Sequence, residues 1–241
     1  PFYNEVDNLR PLYERLQMLR NSLTGEQIEL VMVDDGSRDG TTETIRQLAY
    51  ADASVNAVFL SRNFGHQIAL TAGLIFARGS KAAIVMDGDL QDPPEIIPGL
   101  LEKAAQGNEI VYAVRKSRQE SVAAVTLYKL YYRIFSRIAN ITVPLDSGDF
   151  CYISRKAIDV LNKMSEEQRY LRGMRAWVGF NQSGFEYDRE KRFQGQSKYG
   201  FRKLLKLAYM GVFNFSEFPI KFITTLGLVS VCGGLLYFAI T

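Results

Sequence analysis

The sequence concentrates acidic side chains directly after a short apolar run. Residues 82–86 are all apolar, and the chain continues as Asp87-Gly88-Asp89-Leu90-Gln91-Asp92-Pro93-Pro94. A short run of branched apolar residues predicts a buried strand, and the two prolines force the chain out of it. Carboxylates packed at one strand end repel one another unless a cation lies among them, and such oxygen ligands suit Mg²⁺ or Mn²⁺. The pattern therefore predicts a divalent-cation site, with an acidic turn that caps a helix as the alternative.

The first half of the chain alternates between strand and helix patterns. Apolar spacing predicts helices over 9–23, 41–51, 67–77 and 95–106, and strands over 28–33, 55–60, 82–86 and 110–114. This alternation predicts βαβ units and an α/β fold with a mostly parallel, Rossmann-like sheet. Ligands of such sheets bind beyond the carboxyl ends of the strands. Asp34 and Asp35 lie at that edge together with Asp87 and Asp89, so we expect one shared site.

Composition restricts the class of protein. The 241 residues suffice for one large α/β domain with appended elements, and the net charge of +3 is too small to indicate a nucleic-acid partner. Cys151 and Cys232 form no disulfide framework, which fits a reducing compartment. No Gly-x-Gly-x-x-Gly motif follows a strand, which disfavours a nicotinamide-dependent enzyme.

The C-terminal segment indicates a membrane protein. Residues 222–241 carry no charge and approach the roughly 20 residues that cross a bilayer core. A buried core helix is the alternative, but the segment is apolar on all sides and follows Lys221, which favours a span whose start is cytoplasmic. The abrupt end at Thr241 suggests that a second span follows. We expect a catalytic domain over 1–200, an interfacial helix over 201–218 and a transmembrane helix over 219–241.

Two further segments have amphipathic patterns. Residues 201–218 mix lysines with large apolar and aromatic residues just before the predicted span, which favours a helix lying on anionic lipid. Residues 122–141 predict an amphipathic helix with a broad apolar and aromatic face. Packing in the core or in a homo-oligomer is the alternative for both, so we expect a lipid bilayer and a second copy of the chain as partners.

Six sequence blocks stand out along the chain: Pro1–Glu5, Val33–Thr41, Arg62–Gly65, Met86–Glu95, Asp146–Phe150 and Gln196–Gly200. In these blocks the chain resembles the membrane-associated family 2 glycosyltransferases that load a sugar onto a polyprenyl phosphate. It looks closest to the bacterial GtrB-type members and is also similar to dolichol-phosphate mannose synthase. The resemblance covers nearly the whole chain in order.

The resemblance implies a GT-A fold, a nucleotide-sugar donor and a polyprenyl-phosphate acceptor. It assigns the cation to Asp87, Asp89 and Gln91, with Gly88 between them, and the nucleoside to Pro1, Tyr3, Glu5 and Asp35. A divalent cation stabilises the charge that develops on a nucleoside diphosphate leaving group. For Asp34 turn geometry is an equal alternative.

Basic residues are candidate phosphate contacts, because the guanidinium group of arginine can donate two hydrogen bonds to phosphate oxygens and lysine adds a positive charge. Arg115 and Arg118 follow the last predicted strand at the edge that carries the acidic pairs. Arg192, Ser197 and Lys198 precede the interfacial segment, from which a lipid phosphate would arrive. The alternative for this basic run is attraction to anionic lipid alone.

Asp149 is the candidate catalytic base, with Asp146 as the fallback. A carboxylate normally deprotonates the acceptor oxygen in an inverting transfer. A phosphate acceptor, however, has a second pKa near 6 and is mostly ionised already. Asp149 would then orient sugar hydroxyls or support the cation instead. We expect the lone His66 to be structural.

The favoured function is inverting, metal-dependent transfer of glucose from UDP-glucose to undecaprenyl phosphate at the cytoplasmic face of a bacterial inner membrane. Other donors, among them GDP-mannose, UDP-N-acetylglucosamine and UDP-4-formamido-arabinose, remain alternatives, as does a membrane scaffold with an inactive site. Arg175 and Trp177 lack the spacing and the glutamine of processive polysaccharide synthases.

Overall fold

A computed structural model describes residues 1–115, 147–167, 169–188 and 218–240. Contacts divide the chain into two compact units. The described residues up to 188 belong to the first unit, and residues 218–240 belong to the second. The predicted helix over 122–141 lies outside the described residues, as does the interfacial segment except for its last residue.

The described elements follow an α/β order. The strands are β1 (Leu30–Asp34), β2 (Val55–Phe59), β3 (Ala82–Val85), β4 (Ile110–Arg115), β5 (Ser147–Ser154) and β6 (Gln182–Tyr187). The helices are α1 (Val6–Ser22), α2 (Thr41–Ala51), α3 (His66–Phe76), α4 (Ile97–Ala105), α5 (Arg155–Lys163), α6 (Leu171–Trp177) and α7 (Phe218–Ile240), and a 3₁₀ turn covers Pro94–Ile96.

The predicted elements up to β4 are all present, with ends displaced by at most three residues. Thr41 is the first residue of α2, and Gly40 occupies the cap position with a φ of 99°. Sequence patterns did not identify β5, β6, α5 and α6, which lie among the later elements of the chain.

The α/β fold class is confirmed, and the described strands form two sheets, one parallel and one mixed in direction. β1 and β2 pair in parallel, and Phe2 forms a parallel bridge to Asp34. The remaining strands have the order β3-β5-β4-β6, in which β4 and β6 are parallel and β5 is antiparallel to both β3 and β4. Strands β3, β4 and β6 therefore run in one direction, with β5 reversed between β3 and β4.

The reversed strand determines which residues meet at the sheet edge. Val85 at the end of β3 pairs with Cys151 in β5. Continuing this antiparallel register by two residues puts Asp87 level with Asp149. At the end of β4, Arg115 pairs with Tyr187. The carboxyl ends of β3, β4 and β6 thus meet the beginning of β5 at one edge.

Two apolar clusters hold the helices against the strands. The first is formed by α1, α2, β1 and β2 together with two loop residues and comprises Phe2, Leu9, Leu12, Met32, Ile45, Leu48, Val55 and Leu90. The second packs α4 against β4, β5 and β6 and comprises Ile97, Leu100, Val111, Ala113, Phe150 and Tyr187. Burial of large apolar side chains contributes roughly 1.5–3 kcal/mol each to folding.

Helix α7 forms a long apolar segment by itself. Residues Ile220–Ile240 have a mean hydropathy of 1.9, and none of this segment is buried within the protein. Its length matches the hydrocarbon core of a bilayer.

The turn after β1 requires glycine at position 36. Gly36 has a φ of +72°, and a Cβ there would lie 2.5 Å from the carbonyl carbon of Arg62 and 2.7 Å from the nitrogen of Asn63. Because these atoms belong to the backbone, no change of side-chain rotamer can relieve the overlap. The turn and the loop around Arg62 therefore pack too closely for any side chain.

We expect Gly36→Ala to lower the free energy of unfolding by about 3 kcal/mol, since it adds left-handed strain to a backbone overlap. Gly25→Ala is the matched control, because Gly25 has a φ of +89° but an added Cβ meets no atom within 4 Å. The control should lose about 1 kcal/mol. Urea titration of both variants in detergent measures the two losses of unfolding free energy. Equal losses would contradict the backbone overlap at position 36.

Candidate active site

The acidic loop after β3 is held by its own backbone and by Phe2. The Asp89 carboxylate accepts a hydrogen bond from the Gln91 backbone nitrogen at 3.2 Å, and Leu90 adopts a φ of 58°. Gly88 is buried against the ring of Phe2, where a Cβ would overlap. Gly88 therefore permits the close approach of the N-terminal segment to the acidic loop.

Asp87 has a buried oxygen that receives no hydrogen bond from the described residues. This atom, Oδ1, is inaccessible to solvent. Burial raises the pKa of Asp87, and the carboxylates of Asp149, Asp92 and Asp89 raise this pKa further, while His66 acts in the opposite direction. A buried carboxylate oxygen without a donor, among further carboxylates, is the environment that a cation stabilises.

The residues present fit a hydrated divalent cation better than a closed protein cage. In the described part of the chain, no three His, Cys, Asp or Glu side chains form a ready metal-binding group. Mg²⁺ commonly takes only one or two carboxylates from the protein and completes its ligands with water and substrate phosphates. Asp87 and Asp89 can supply those two carboxylates, and Gln91 an amide oxygen.

Asp149 lies at the start of β5 in a dense set of donors. Its Oδ1 accepts from Arg172 Nε at 2.9 Å, and its Oδ2 accepts from Arg172 Nη2 at 3.0 Å. His66 Nε2 lies 3.1 Å and Gln67 Nε2 lies 3.4 Å from Oδ2. Burial alone would raise the pKa of Asp149, but Arg172 and His66 outweigh it and hold this pKa well below its usual range.

His66 joins Asp149 to the acidic loop. Its Nε2 also lies 3.4 Å from Asp87 Oδ1. Burial alone would lower the pKa of His66, but the hydrogen bond with Asp149 and the negative charge of Asp87 raise it overall. The expectation that His66 is merely structural overlooked its position between these two carboxylates.

Helix α6 is fixed to the site by polar contacts. Gln67 Oε1 accepts a hydrogen bond from the Leu171 backbone nitrogen at 2.9 Å. Arg175 is buried and donates to the carbonyl oxygen of Gly148 at 3.0 Å. These contacts put Arg172 beside Asp149. Sequence reasoning missed Arg172, because nothing in the local pattern identifies which carboxylate it meets.

Asp35, a candidate nucleoside contact, organises the loop before α3. Its Oδ1 accepts from the Phe64 backbone nitrogen at 2.7 Å, and its Oδ2 accepts from the Gly65 backbone nitrogen at 2.9 Å and from Asn63 Nδ2 at 3.0 Å. The neighbouring Asp34 accepts from Ser37 and Thr42, which is the turn geometry that we considered for it.

The other nucleoside candidates lie in the N-terminal segment beside Asp35. Phe2 donates to the Val33 carbonyl at 2.7 Å and accepts from the Asp35 backbone nitrogen at 2.9 Å, which fixes the segment along β1. Tyr3 is 37% exposed. The Glu5 carboxylate accepts from Asn8 Nδ2 at 2.6 Å. The carbonyl oxygen of Pro1 lies next to Gly88.

Arg115 ends β4 next to the acidic loop. Tyr187, its partner in register, donates to the buried Asp92 carboxylate at 2.5 Å and also interacts with Arg115. Burial and Asp92 raise the pKa of Tyr187. Within the described residues Arg115 Nε is buried without a hydrogen-bond partner. The candidates Arg118, Arg192, Ser197 and Lys198 lie outside the described residues.

Solved structures establish the class of the fold. The chain superposes on mannosyl-3-phosphoglycerate synthase from Rubrobacter xylanophilus with a TM-score of 0.56, at 20% identity over 89% of this chain and 70% of that one. It also superposes on the mannosyltransferase PcManGT from Pyrobaculum calidifontis in complex with GDP-Man and Mn²⁺, with a TM-score of 0.57, at 18% identity over 82% of this chain and 56% of that one. These similarities show a GT-A fold.

The sequence comparisons identify the family. The model for glycosyl transferase family 2 matches residues 1–161, and the chain belongs to that family. It is 40% identical to the uncharacterized glycosyltransferase YkcC of Bacillus subtilis (strain 168), over 98% of this chain and 73% of the relative. It is 34% identical to the bactoprenol glucosyl transferase of Shigella phage SfV, over 98% of this chain and 77% of the relative. The protein is a glycosyltransferase.

A substitution of Arg172 tests how much its ion pair with Asp149 stabilises the folded protein. Arg172→Met leaves the buried carboxylate with fewer donors, and we expect it to lower the free energy of unfolding by roughly 1–3 kcal/mol at pH 7. Because the pKa of Asp149 is depressed in the folded state, the stabilisation is complete above the ordinary Asp pKa of about 3.9 and is lost as the pH falls toward the folded pKa. The deficit should therefore shrink below about pH 4.

Urea titrations at pH 7 and at pH 3.5 measure this deficit. Lys81→Met is the control, because Lys81 forms an exposed ion pair with Glu26 at 2.9 Å. It should lose no more than about 0.5 kcal/mol. An Arg172 deficit that is independent of pH would contradict the ion-pair assignment.

Proposed function

We propose that this glycosyltransferase transfers a sugar from a nucleotide donor to a polyprenyl phosphate, with glucose from UDP-glucose as the first candidate. The observation that carries the proposal is the buried Oδ1 of Asp87, which lies among neighbouring carboxylates and receives no hydrogen bond from the described residues. Such an edge would suit a divalent cation that stabilises the diphosphate of a nucleotide sugar. Relatives named bactoprenol glucosyl transferase support a polyprenyl acceptor and a glucosyl group.

Asp87, Asp89 and Gln91 would hold the cation, Mg²⁺ or Mn²⁺. When bound, the cation neutralises the charge of the departing diphosphate. The solved mannosyltransferase in complex with GDP-Man and Mn²⁺ supports a divalent metal in this fold. Inversion at the transferred carbon follows from direct attack by the acceptor phosphate.

The nucleoside would bind along the N-terminal segment and the end of β1, at Pro1, Tyr3, Glu5 and Asp35. Asp35 can offer an oxygen to a ring N–H while it holds the loop before α3. Gly88 supports this arrangement by letting Phe2 pack directly against the acidic loop.

The phosphates would be bound by basic side chains from several segments. Arg115 supports this assignment because it ends β4 beside Tyr187, which holds the buried Asp92 of the acidic loop. Arg192, Ser197 and Lys198 would meet the acceptor phosphate that arrives from the membrane. Guanidinium groups can bind phosphate oxygens in pairs.

Asp149 remains our candidate catalytic residue, and we assign it an orienting role. A carboxylate with a depressed pKa that already accepts hydrogen bonds from Arg172, His66 and Gln67 is a weak base. The acceptor phosphate is mostly ionised at neutral pH and needs no strong base. Asp149 would instead hold Arg172 and His66 at the reaction centre.

Helix α7 would anchor the enzyme in the bacterial inner membrane. Its apolar length supports a transmembrane span, and Lys221 at its start favours a cytoplasmic catalytic domain. Under this proposal residues 201–218 lie on the membrane surface, residues 1–200 form the catalytic domain, and the enzyme assembles as a homo-oligomer.

Radiolabelled donors test the reaction directly. The full chain in detergent is incubated with undecaprenyl phosphate and labelled UDP-glucose or GDP-mannose, with Mg²⁺, with Mn²⁺ or with chelator. We expect metal-dependent label in the lipid phase from UDP-glucose. Label in the lipid phase from GDP-mannose alone would show that the donor is GDP-mannose and not UDP-glucose. Hydrolysis of the donor without a lipid product would contradict the proposed acceptor.

Asp89→Asn tests the proposed cation ligand. Losing one carboxylate should reduce kcat by roughly 100-fold or more, since the charge on the leaving group is then poorly stabilised. Glu43→Gln removes an exposed carboxylate on α2 and should retain full activity. Unfolding curves must show that both variants are folded, and a fully active Asp89→Asn enzyme would contradict the assignment.

A further inference from the structure

His66 begins α3 in a position that the preceding loop determines. Gly65 has a φ of +100°, and its backbone nitrogen donates to Asp35 at 2.9 Å. The backbone nitrogens of Ile68 and Ala69 both donate to the Gly65 carbonyl at 3.0–3.1 Å, which starts the helix at this point. The imidazole is therefore directed by a fixed loop and a fixed helix start.

The imidazole nitrogen lies between two carboxylates. His66 Nε2 is 3.1 Å from Asp149 Oδ2 and 3.4 Å from Asp87 Oδ1. Since an ionised carboxylate can only accept, Nε2 carries the hydrogen. Its hydrogen bond is made to Asp149, while Asp87 Oδ1 receives no hydrogen bond from the described residues. The N–H nevertheless places partial positive charge beside that oxygen.

We infer that His66 is a positioning residue that stabilises the cation-free acidic site and thereby sets its affinity for the divalent cation. The inference rests on the proposed function, because it takes Asp87 as a cation ligand. In the cation-free protein the N–H reduces repulsion between Asp87 and Asp149. Once a dication is bound at Asp87, the same N–H dipole faces a positive charge and becomes unfavourable.

Thermodynamic linkage determines whether His66 strengthens or weakens cation binding. A group that stabilises the cation-free form more than the cation-bound form weakens cation binding by the same free energy. Removal of the His66 N–H should therefore tighten Mn²⁺ binding, by roughly 3- to 10-fold in Kd. It should also make the cation-free protein less stable, so that Mn²⁺ raises Tm by more in the variant than in the parent protein.

Two variants separate this role from simple damage to α3. His66→Gln keeps an N–H at a similar reach and should retain the Mn²⁺ affinity of the parent protein. Thr71→Ala removes a hydroxyl that donates to the Gln67 carbonyl within α3 at 2.9 Å. It should lower Tm without changing Mn²⁺ affinity.

The experiment titrates the full chain in detergent with Mn²⁺, without any nucleotide sugar. Free Mn²⁺ is followed by its electron paramagnetic resonance signal, and Tm is measured with and without Mn²⁺. Tighter binding in His66→Ala, with parent affinity in His66→Gln and Thr71→Ala, is the expected result. Unchanged or weaker binding in His66→Ala overturns this inference but leaves the proposed reaction standing. Absence of Mn²⁺ binding in the parent protein overturns the cation site, and with it this role of His66.

Discussion

The pairing of β3 with the reversed strand β5 is the interaction on which the site depends. β3 ends and β5 begins at the same edge of the sheet. The backbone pairing from Ala82–Ser154 to Val85–Cys151 therefore determines which side chains lie opposite each other just past the last pair. Asp87 and Asp149 are 62 positions apart along the chain, yet the ladder puts them level. Because side chains alternate with a period of two, a slip by one residue would turn Asp149 to the opposite face of the sheet.

The buried carboxylates at this edge are compensated unequally. Asp149 accepts hydrogen bonds from Arg172, Asp92 accepts one from Tyr187, and Asp35 accepts them from the loop before α3. Asp87 has a buried oxygen that receives no hydrogen bond from the described residues. His66 Nε2 lies 3.4 Å from that oxygen, and Asp87 is the carboxylate of this edge at which we propose a cation.

The sequence predicted the early strands and helices because their apolar periodicity is regular, as at Leu9, Leu12, Leu16 and Leu19 of α1. It also predicted that Asp35, Asp87 and Asp89 occupy one edge, since strand ends converge there whatever the side-chain details. The reversal of β5 escaped prediction, because the run through Phe150 and Cys151 has no feature that specifies direction. The partners of His66 and Arg172 depend on that reversal, and hence on contacts distant along the chain.

The three hydrogen bonds that Asp35 accepts have a consequence for altering donor preference. The same carboxylate that can read a nucleobase also fastens the loop that starts α3, and α3 carries His66 and Gln67. Under the proposed function, recognition and architecture share one side chain, so a substitution at position 35 that alters base selectivity would also require rebuilding Asn63–Gly65. Tyr3, another proposed nucleoside contact, is partly exposed and makes none of the three hydrogen bonds that join Asp35 to this loop, so the two positions carry different burdens.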